Sequence, residues 1–252
     1  MLRNSKFISL CVPLALCACA AAEIDFSAVP DDKIYETGVR HIEEDMYDAA
    51  INELKQLEYN YPYSPYVLRS WLALGYAQYL AKKYPDAIET FMKAARIQPG
   101  AKEIPYAQYM IAMSFYSQIS PINREQRNTE SALAAMEKLV REHPEGEYAA
   151  DVKPKMIEAR NTLAAKQMFI ARELVRARNY LGALNRYQTV IARYDTTLYA
   201  PEALFRTVEL YDVLAQRADA GNMLRILELN HPKSEWTAKA RRVMVTPAKN
   251  NP

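Results

Sequence analysis

The sequence is poor in the residues that build catalytic sites and loop-rich folds. It has 6 glycines, 3 histidines and 3 cysteines among 252 residues, and all three cysteines precede residue 20. So few glycines argue against a turn-rich β-sheet protein, and the cysteine-free remainder excludes disulfides and thiol chemistry there. A formal net charge of +2, from 32 basic and 30 acidic residues, predicts no nucleic-acid partner. Ala, Leu, Glu, Lys, Arg and Tyr dominate instead, which favours an all-α protein.

The N-terminal segment has the order of an export signal. Two basic residues precede an apolar run from Phe7 to Leu16, which is too short to span a bilayer, and small residues follow. The sequence Leu16-Cys17-Ala18-Cys19 matches the bacterial lipobox, in which an apolar and a small residue precede the acylated cysteine. We therefore predict removal of residues 1–18 and a lipid on Cys19. An ordinary secretory signal cut a few residues later is the alternative.

Lipidation would decide where the protein resides. Several acyl chains on one cysteine bury far more apolar surface than the single chain that gives only marginal membrane binding. Ala20 follows the cysteine, and the lack of aspartate there fits the sorting pattern of outer-membrane lipoproteins. We expect a lipid-anchored protein on the periplasmic face of the outer membrane, with this covalent lipid as its only non-protein group.

An internal repeat runs through the rest of the chain. Five segments share an alanine, which we call the anchor, with apolar residues four and seven positions later and a helix stop twelve positions later. The anchors are Ala50, Ala87, Ala132, Ala183 and Ala220. The stop positions hold Pro62, Pro99, Pro144, Asp195 and Pro232. Apolar residues at this spacing share one helix face, and proline cannot continue a helix. Each such helix follows another, so the unit is a tetratricopeptide-like helix hairpin.

These repeats predict an all-α, right-handed superhelix of about five tetratricopeptide-like hairpins with a C-terminal capping helix near Trp236 to Val243. The predicted organisation is a cleaved signal peptide (1–18), a lipidated linker (19–32), N-terminal repeats 1 to 3 (33–146), C-terminal repeats 4 and 5 with the cap (147–245), and a disordered tail (246–252).

Two stretches interrupt the regular spacing. A Ser/Pro/Asn/Arg/Gln-rich loop is predicted from Ser117 to Thr129, either as a contact site or as a plain surface excursion. A long helix is predicted from Glu147 to Arg178, where Pro154 either lies in the first turn or kinks the helix.

No catalytic constellation is visible in the sequence. His143 and His231 each precede a stop proline, which indicates helix-end residues, and His41 has no obvious partner. No phosphate-binding loop, nucleophile elbow or zinc-binding helix motif occurs. A lytic transglycosylase would need a catalytic glutamate in a lysozyme-like domain, for which the repeats leave no room. We predict a protein that is not an enzyme and holds no metal.

Tyrosine is the unusual component of the composition. Twelve of the 18 tyrosines fall between residues 35 and 116, and several recur at helical spacing on first helices. First helices line the inner surface of such solenoids, where tyrosine offers flat apolar area and a hydroxyl. The candidate peptide-binding residues are Tyr76, Tyr79, Tyr106, Tyr109, Tyr116, Arg40 and Arg69. The alternative is that the rings pack between helices and the arginines are ordinary surface residues.

Several stretches together resemble the BamD family of outer-membrane assembly lipoproteins. They are the lipobox, the turn Tyr61-Pro62-Tyr63-Ser64-Pro65-Tyr66, the segment from Arg178 to Tyr187, the helix opening Gly146-Glu147-Tyr148-Ala149-Ala150 and the closing Pro232-Lys233-Ser234-Glu235-Trp236. The likeness covers nearly the whole chain. Departures include Ile111-Ala112-Met113, where family members usually have Arg-Gly-Leu.

The resemblance implies a non-enzymatic subunit of the β-barrel assembly machinery. Its N-terminal repeats would receive unfolded outer-membrane β-barrel precursors. Its C-terminal repeats would dock the periplasmic domains of BamA and other lipoproteins of the complex, with candidate contacts at Tyr180, Asn185, Arg186 and Arg217. A repeat lipoprotein that organises peptidoglycan enzymes is the alternative.

Overall fold

The computed structural model describes residues 25–245, so Cys19, the signal segment and the tail 246–252 lie outside the described residues. Eleven α-helices follow one another in this range: α1 (Asp31–Glu43), α2 (Tyr47–Asn60), α3 (Val67–Leu80), α4 (Tyr84–Ile97), α5 (Ile104–Tyr116), α6 (Arg127–Glu142), α7 (Glu147–Arg176), α8 (Tyr180–Arg193), α9 (Ala200–Val213), α10 (Arg217–Asn230) and α11 (Glu235–Val245). Consecutive helices pack together as five hairpins, and α11 covers α9 and α10. The predicted all-α hairpin stack with a capping helix is confirmed.

The repeated positions form the core of each hairpin. All five anchor alanines are completely buried on the second helix of their hairpin. Four of the large residues four positions later are also buried, namely Leu54, Phe91, Met136 and Tyr187, whereas Leu224 is only partly buried. Every second helix ends two residues before its stop position. The sequence repeat therefore corresponds to one buried helix face, and each second helix ends at the same distance from its anchor alanine.

Close approach of the two helices in a hairpin depends on a small residue opposite this face. Gly38 and Gly75 stand twelve residues before their anchors, and a β-carbon would lie 2.6 Å from Leu54 at the first and 2.8 Å from Phe91 at the second. Ala171 and Val208 hold the same position in repeats 4 and 5, and both are fully buried. The size of this residue sets how near the first helix comes to the second.

A common turn joins first to second helix in four hairpins. Asp45, Lys82, Arg178 and Ala215 stand five residues before their anchors and have positive φ angles of 57 to 59°. The backbone N–H of the following residue donates to the carbonyl five residues before it. The Gln216 N–H, for example, donates to the Tyr211 carbonyl at 2.8 Å. This is the Schellman ending of a helix, here built without glycine at the left-handed position.

Helix α7 spans 30 residues and belongs to two cores. Val152, near its start, packs with residues of α5 and α6, whereas Leu163 and Met168 pack with α8 and α9. Pro154 is the eighth residue of α7, so the first of the two predicted alternatives, a place in the first turn, is wrong. The proline lacks the N–H that would bond the Ala150 carbonyl, and both residues are exposed, so water can reach that carbonyl.

Two further boundaries differ from the sequence predictions. The loop predicted to end at Thr129 is shorter, because α6 begins at Arg127 and Gln126 folds back on the loop carbonyls of Ser120 and Pro121. The linker predicted to run to residue 32 ends earlier, because α1 begins at Asp31. Before that helix, the Tyr61 hydroxyl donates to the backbone carbonyls of Ser27 and Val29. Local composition did not reveal these long-range contacts.

Candidate functional site

The first helices of the N-terminal repeats share one side of the stack. Helix α1 contacts α3, α3 contacts α5, and α5 contacts α7 directly, while no comparable contact joins α2 to α4 or α4 to α6 in residues 25–245. A stack with its first helices closer together curves toward them. Their outward faces therefore line the concave side of repeats 1 to 3.

Several tyrosine rings lie together on this side. Tyr106 packs edge-on against the core ring Phe91, with centroids 6.0 Å apart, and tilts toward Tyr148 at 6.1 Å. Tyr109 stacks on Tyr148 at 4.9 Å. Tyr76, still 37% exposed, neighbours Tyr106. The predicted residues on α3 and α5 therefore lie together, and part of each ring serves packing.

Hydroxyl groups at the edge of the cluster have specific partners. The Tyr79 hydroxyl lies 3.1 Å from Ser117 Oγ, and the Tyr116 hydroxyl donates to Glu158 on α7. Burial, and next the interaction with Glu158, raises the pKa of Tyr116 to about 12. Burial, and next the interaction with Asp151, likewise raises the pKa of Tyr109 to about 12. Tyr109 and Tyr116 are therefore neutral at physiological pH.

Helix α7 supplies a wall of the cluster that the sequence analysis missed. Tyr148, Asp151, Lys155 and Glu158 recur at intervals of three and four residues, which places them on one helix face. Lys155 Nζ lies 2.9 Å from the Asp151 carboxylate, and this pairing lowers the pKa of Asp151. The spacing was readable in the sequence. What the sequence could not show is that this face turns toward α5.

The two candidate arginines lie apart from the rings. Arg40 is exposed on α1 and pairs with Glu44 at 3.6 Å. Arg69 is exposed on α3, seven residues before Tyr76 and hence on the same helix face. Within residues 25–245 no hydrogen bond or ion pair involves Arg69. Neither arginine has a ring contact with the tyrosines there.

The C-terminal candidates fall into two environments. Asn185 and Arg186 are exposed on α8, where Arg186 reaches Gln167 of α7 at 3.3 Å. Tyr180 begins α8 and packs partly into the core. Arg217 begins α10, bonds Asp212 at 3.1 Å and donates to the Met244 carbonyl at 2.5 Å. Arg217 thus holds the capping helix α11 against the last hairpin.

The described residues offer little to catalysis. Across residues 25–245 no three His, Cys, Asp or Glu side chains converge as a metal site. His143 and His231 are the C-cap residues that directly follow α6 and α10, and His41 lies 4.0 Å from Glu53. In the same range, none of the helices combines the length and apolar composition needed to cross a bilayer.

The fold and its tyrosine-lined inner side define a helical-repeat protein of the tetratricopeptide class. Residues 27–225 match the family model YfiO, described as outer membrane lipoprotein. The chain is 34% identical over 215 residues to the outer membrane protein assembly factor BamD of Caulobacter vibrioides, covering 85% of this chain and 70% of the relative. It is 29% identical to BamD of Rickettsia prowazekii, covering 96% and 98%.

The chain belongs to the YfiO/BamD family, the outer membrane lipoproteins that act as outer membrane protein assembly factors. This membership confirms the predicted outer-membrane location and the prediction that the protein is not an enzyme. Among solved structures, the TPR2AB domain of yeast Sti1 covers 84% of this chain at 13% identity, with a TM-score of 0.40. At that score the likeness adds nothing to the fold assignment, which rests on the helices themselves.

Proposed function

We propose that this family member recruits unfolded outer-membrane β-barrel proteins through the concave side of repeats 1 to 3. The observation that carries the proposal is the tyrosine cluster, in which Tyr106 and Tyr109 of α5 pack against Tyr148 of α7, with Tyr76 of α3 beside them. An unfolded barrel protein presents extended strands with alternating apolar side chains. Partly exposed rings with hydroxyls suit such strands, because they offer apolar area and hydrogen bonds at low entropic cost.

The charge around the cluster limits where a client carboxylate could bind. At the α7 side Asp151 already pairs with Lys155 and Glu158 would repel a carboxylate, whereas Arg69 stands on the α3 side with no ion pair in residues 25–245. A free guanidinium can hold a carboxylate through two parallel hydrogen bonds. We infer that a bound strand lies with its acidic end toward α3.

The C-terminal repeats are proposed to dock the periplasmic domains of BamA and the other assembly-complex lipoproteins. Exposed Asn185 and Arg186 on α8, beside Leu181 at 65% exposure, support a contact surface there. The role of Arg217 is better explained by its bonds to Asp212 and Met244, which stabilise the cap. Attachment through a lipid on Cys19 completes the proposal, and acyl labelling that disappears in Cys19→Ser would support it.

Site-specific photo-crosslinking in cells tests the recruitment role. A photoreactive residue at Tyr79 or Tyr109 should capture barrel precursors, and capture should depend on the precursor's C-terminal strand. Tyr59 provides the control position, since it is 82% exposed on α2, a helix that contributes no residue to the cluster. Equal capture from Tyr59, or none from the cluster, would reject the proposal.

The same method at Arg186 separates the two scaffold functions. Crosslinks to BamA are expected for an assembly-complex subunit. Crosslinks to cell-wall synthases, with none to BamA, would favour the peptidoglycan scaffold instead.

A further inference from the structure

We propose that the opposite, convex side of the stack carries a second peptide-binding groove, for a partner segment that combines apolar side chains with carboxylates. The groove lies between α4 and α6, has a volume of about 520 Å³ and uses α5 as its floor. The inference does not depend on the recruitment role of the tyrosine cluster, because no residue is common to the two surfaces.

Helix α5 separates the two surfaces. Tyr106 and Tyr109 face the concave side, whereas Gln108, Ile111 and Phe115 line the convex groove. Met92 of α4, 49% exposed, and the small Ala134 of α6 form its walls. The floor and walls are therefore mainly apolar and open to solvent, as a docking surface for apolar side chains requires.

The ionisable side chains lining the groove are both cationic. Arg96 stands on the α4 wall and Lys138 on the α6 wall. Neither makes a hydrogen bond or ion pair within residues 25–245, whereas Lys93 pairs with Glu58 and Arg160 with Glu137 elsewhere in the stack. Two unpaired cations on facing walls give the groove a charge that is complementary to carboxylates.

Gln108 adds a requirement for a hydrogen-bond donor. Its Nε2 donates to Glu142 Oε2 at 2.7 Å, which fixes the orientation of the amide. Its Oε1 is buried and accepts no hydrogen bond within the described residues. A buried acceptor without a donor is unfavourable, and Gln108 lines the floor of the groove, so a ligand N–H that reaches Oε1 after a small rotation of this side chain gains affinity.

These features favour a polypeptide over a lipid. An anionic phospholipid would satisfy the apolar floor and the two cations, but its phosphate brings no donor for Gln108 Oε1. A peptide brings backbone N–H groups, apolar side chains and carboxylates on one chain. The occupant we infer is an acidic, amphipathic segment of a partner protein.

Two synthetic peptides provide the probes. Both carry leucines at helical spacing over fourteen residues, and their remaining positions are glutamate in one and lysine in the other. Binding to the chain purified without residues 1–18 and with Cys19→Ser is followed by fluorescence anisotropy and by the NMR methyl signals of Met92 and Ile111. The glutamate peptide should bind at least tenfold more tightly and shift both methyl signals.

Reversing the charge of the two groove cations distinguishes a lost binding site from a protein that fails to fold. The variant Arg96→Glu/Lys138→Glu should bind the glutamate peptide at least tenfold more weakly and the lysine peptide more tightly than the wild type does. Only a folded protein can show this gain in affinity. Lys55→Glu/Lys233→Glu changes the net charge equally at two exposed positions outside the groove and should keep the original preference. Equal binding of both peptides, no binding of the glutamate peptide, or methyl shifts caused only by phosphatidylglycerol bicelles would overturn the proposal.

Discussion

At the scale of single residues, the packing of repeat 2 depends on one missing side chain. The β-carbon position of Gly75 lies 2.8 to 2.9 Å from three ring atoms of Phe91, which is completely buried and cannot swing away. The glycine is therefore required by close approach, since α3 is regular there and φ is not positive. Gly38 has the same relation to Leu54 in repeat 1.

Gly75→Ala should destabilise the protein even though alanine is the better helix former. Overpacking costs about 1–3 kcal/mol, and the gain in helix propensity offsets about 1 kcal/mol of it. We expect a lower midpoint of urea unfolding, partly restored when Phe91→Leu is added. Gly100→Ala is the control, because a β-carbon there meets no atom within 4 Å. A Gly75→Ala protein as stable as the wild type would contradict this packing.

The neutral tyrosines predict a specific response to alkali. Tyr109 and Tyr116 have pKa values near 12 in the folded protein, raised from 10.0 chiefly by burial. A group whose folded pKa is raised contributes stability that is complete below its unfolded pKa and lost as pH rises through the folded value. The wild type should therefore lose stability between about pH 10 and 12 faster than Tyr109→Phe/Tyr116→Phe. Urea midpoints of both proteins across this range would check it, and parallel curves would count against it.

At the scale of elements, the endings of four first helices carry backbone strain. Four first helices end with a residue other than glycine in the left-handed conformation, including Ala215 at φ 58°. This conformation places the β-carbon near the following carbonyl oxygen and costs about 1–2 kcal/mol for an ordinary residue. The tertiary packing of the hairpins offsets this cost.

Ala215→Gly should therefore stabilise the last hairpin. Relief of the left-handed strain outweighs the added freedom of the unfolded chain, and the expected net gain is about 0.5–1 kcal/mol. Ala134→Gly, exposed in the middle of α6, should instead lose about 1 kcal/mol. Thermal unfolding of the two variants would measure the difference, and the same sign for both would refute the assignment of strain.

The helices could be predicted because their signals are local. An anchor alanine, an apolar residue on the same face and a stop proline lie within thirteen residues. One short segment therefore specifies both the buried face of a helix and the end of that helix. The contribution of Tyr148 and Asp151 was missed because it depends on how α7 approaches α5. The start of α6 was misplaced because Gln126 is fixed by carbonyls in the preceding loop. Of the candidate arginines, only Arg69 shares a helix face with a cluster tyrosine.

At the scale of the whole molecule, repeats 2 and 3 carry both candidate binding surfaces. The tyrosine cluster lies on the concave side, and the cationic apolar groove lies on the convex side. Helix α7 joins this part to the C-terminal repeats, since its two halves pack in different cores. A client and a partner could thus bind the same repeats without competing, while repeats 4 and 5 remain available for docking.

A solenoid of this kind should also lose structure from its end inward. Helix α11 covers the apolar end of the stack, where Trp236 packs on Phe205 with centroids 5.3 Å apart and Ala240 is completely buried. Each repeat contacts mainly its neighbours, so removing the cap should affect repeat 5 most.

Deletion from Glu235 onward should remove hydrogen-exchange protection from α9 and α10 and leave α1 to α6 protected. The deletion exposes the apolar surface of α9 and removes the hydrogen bond between Arg217 and the Met244 carbonyl. Both changes affect the last hairpin alone. Hydrogen-exchange mass spectrometry of the full and truncated chains would measure protection helix by helix. Arg217→Ala should give a weaker form of the same pattern. Uniform loss of protection from α1 to α10 would mean that the stack unfolds as one unit, and that the long helix α7 couples its two parts too strongly for the end to open alone.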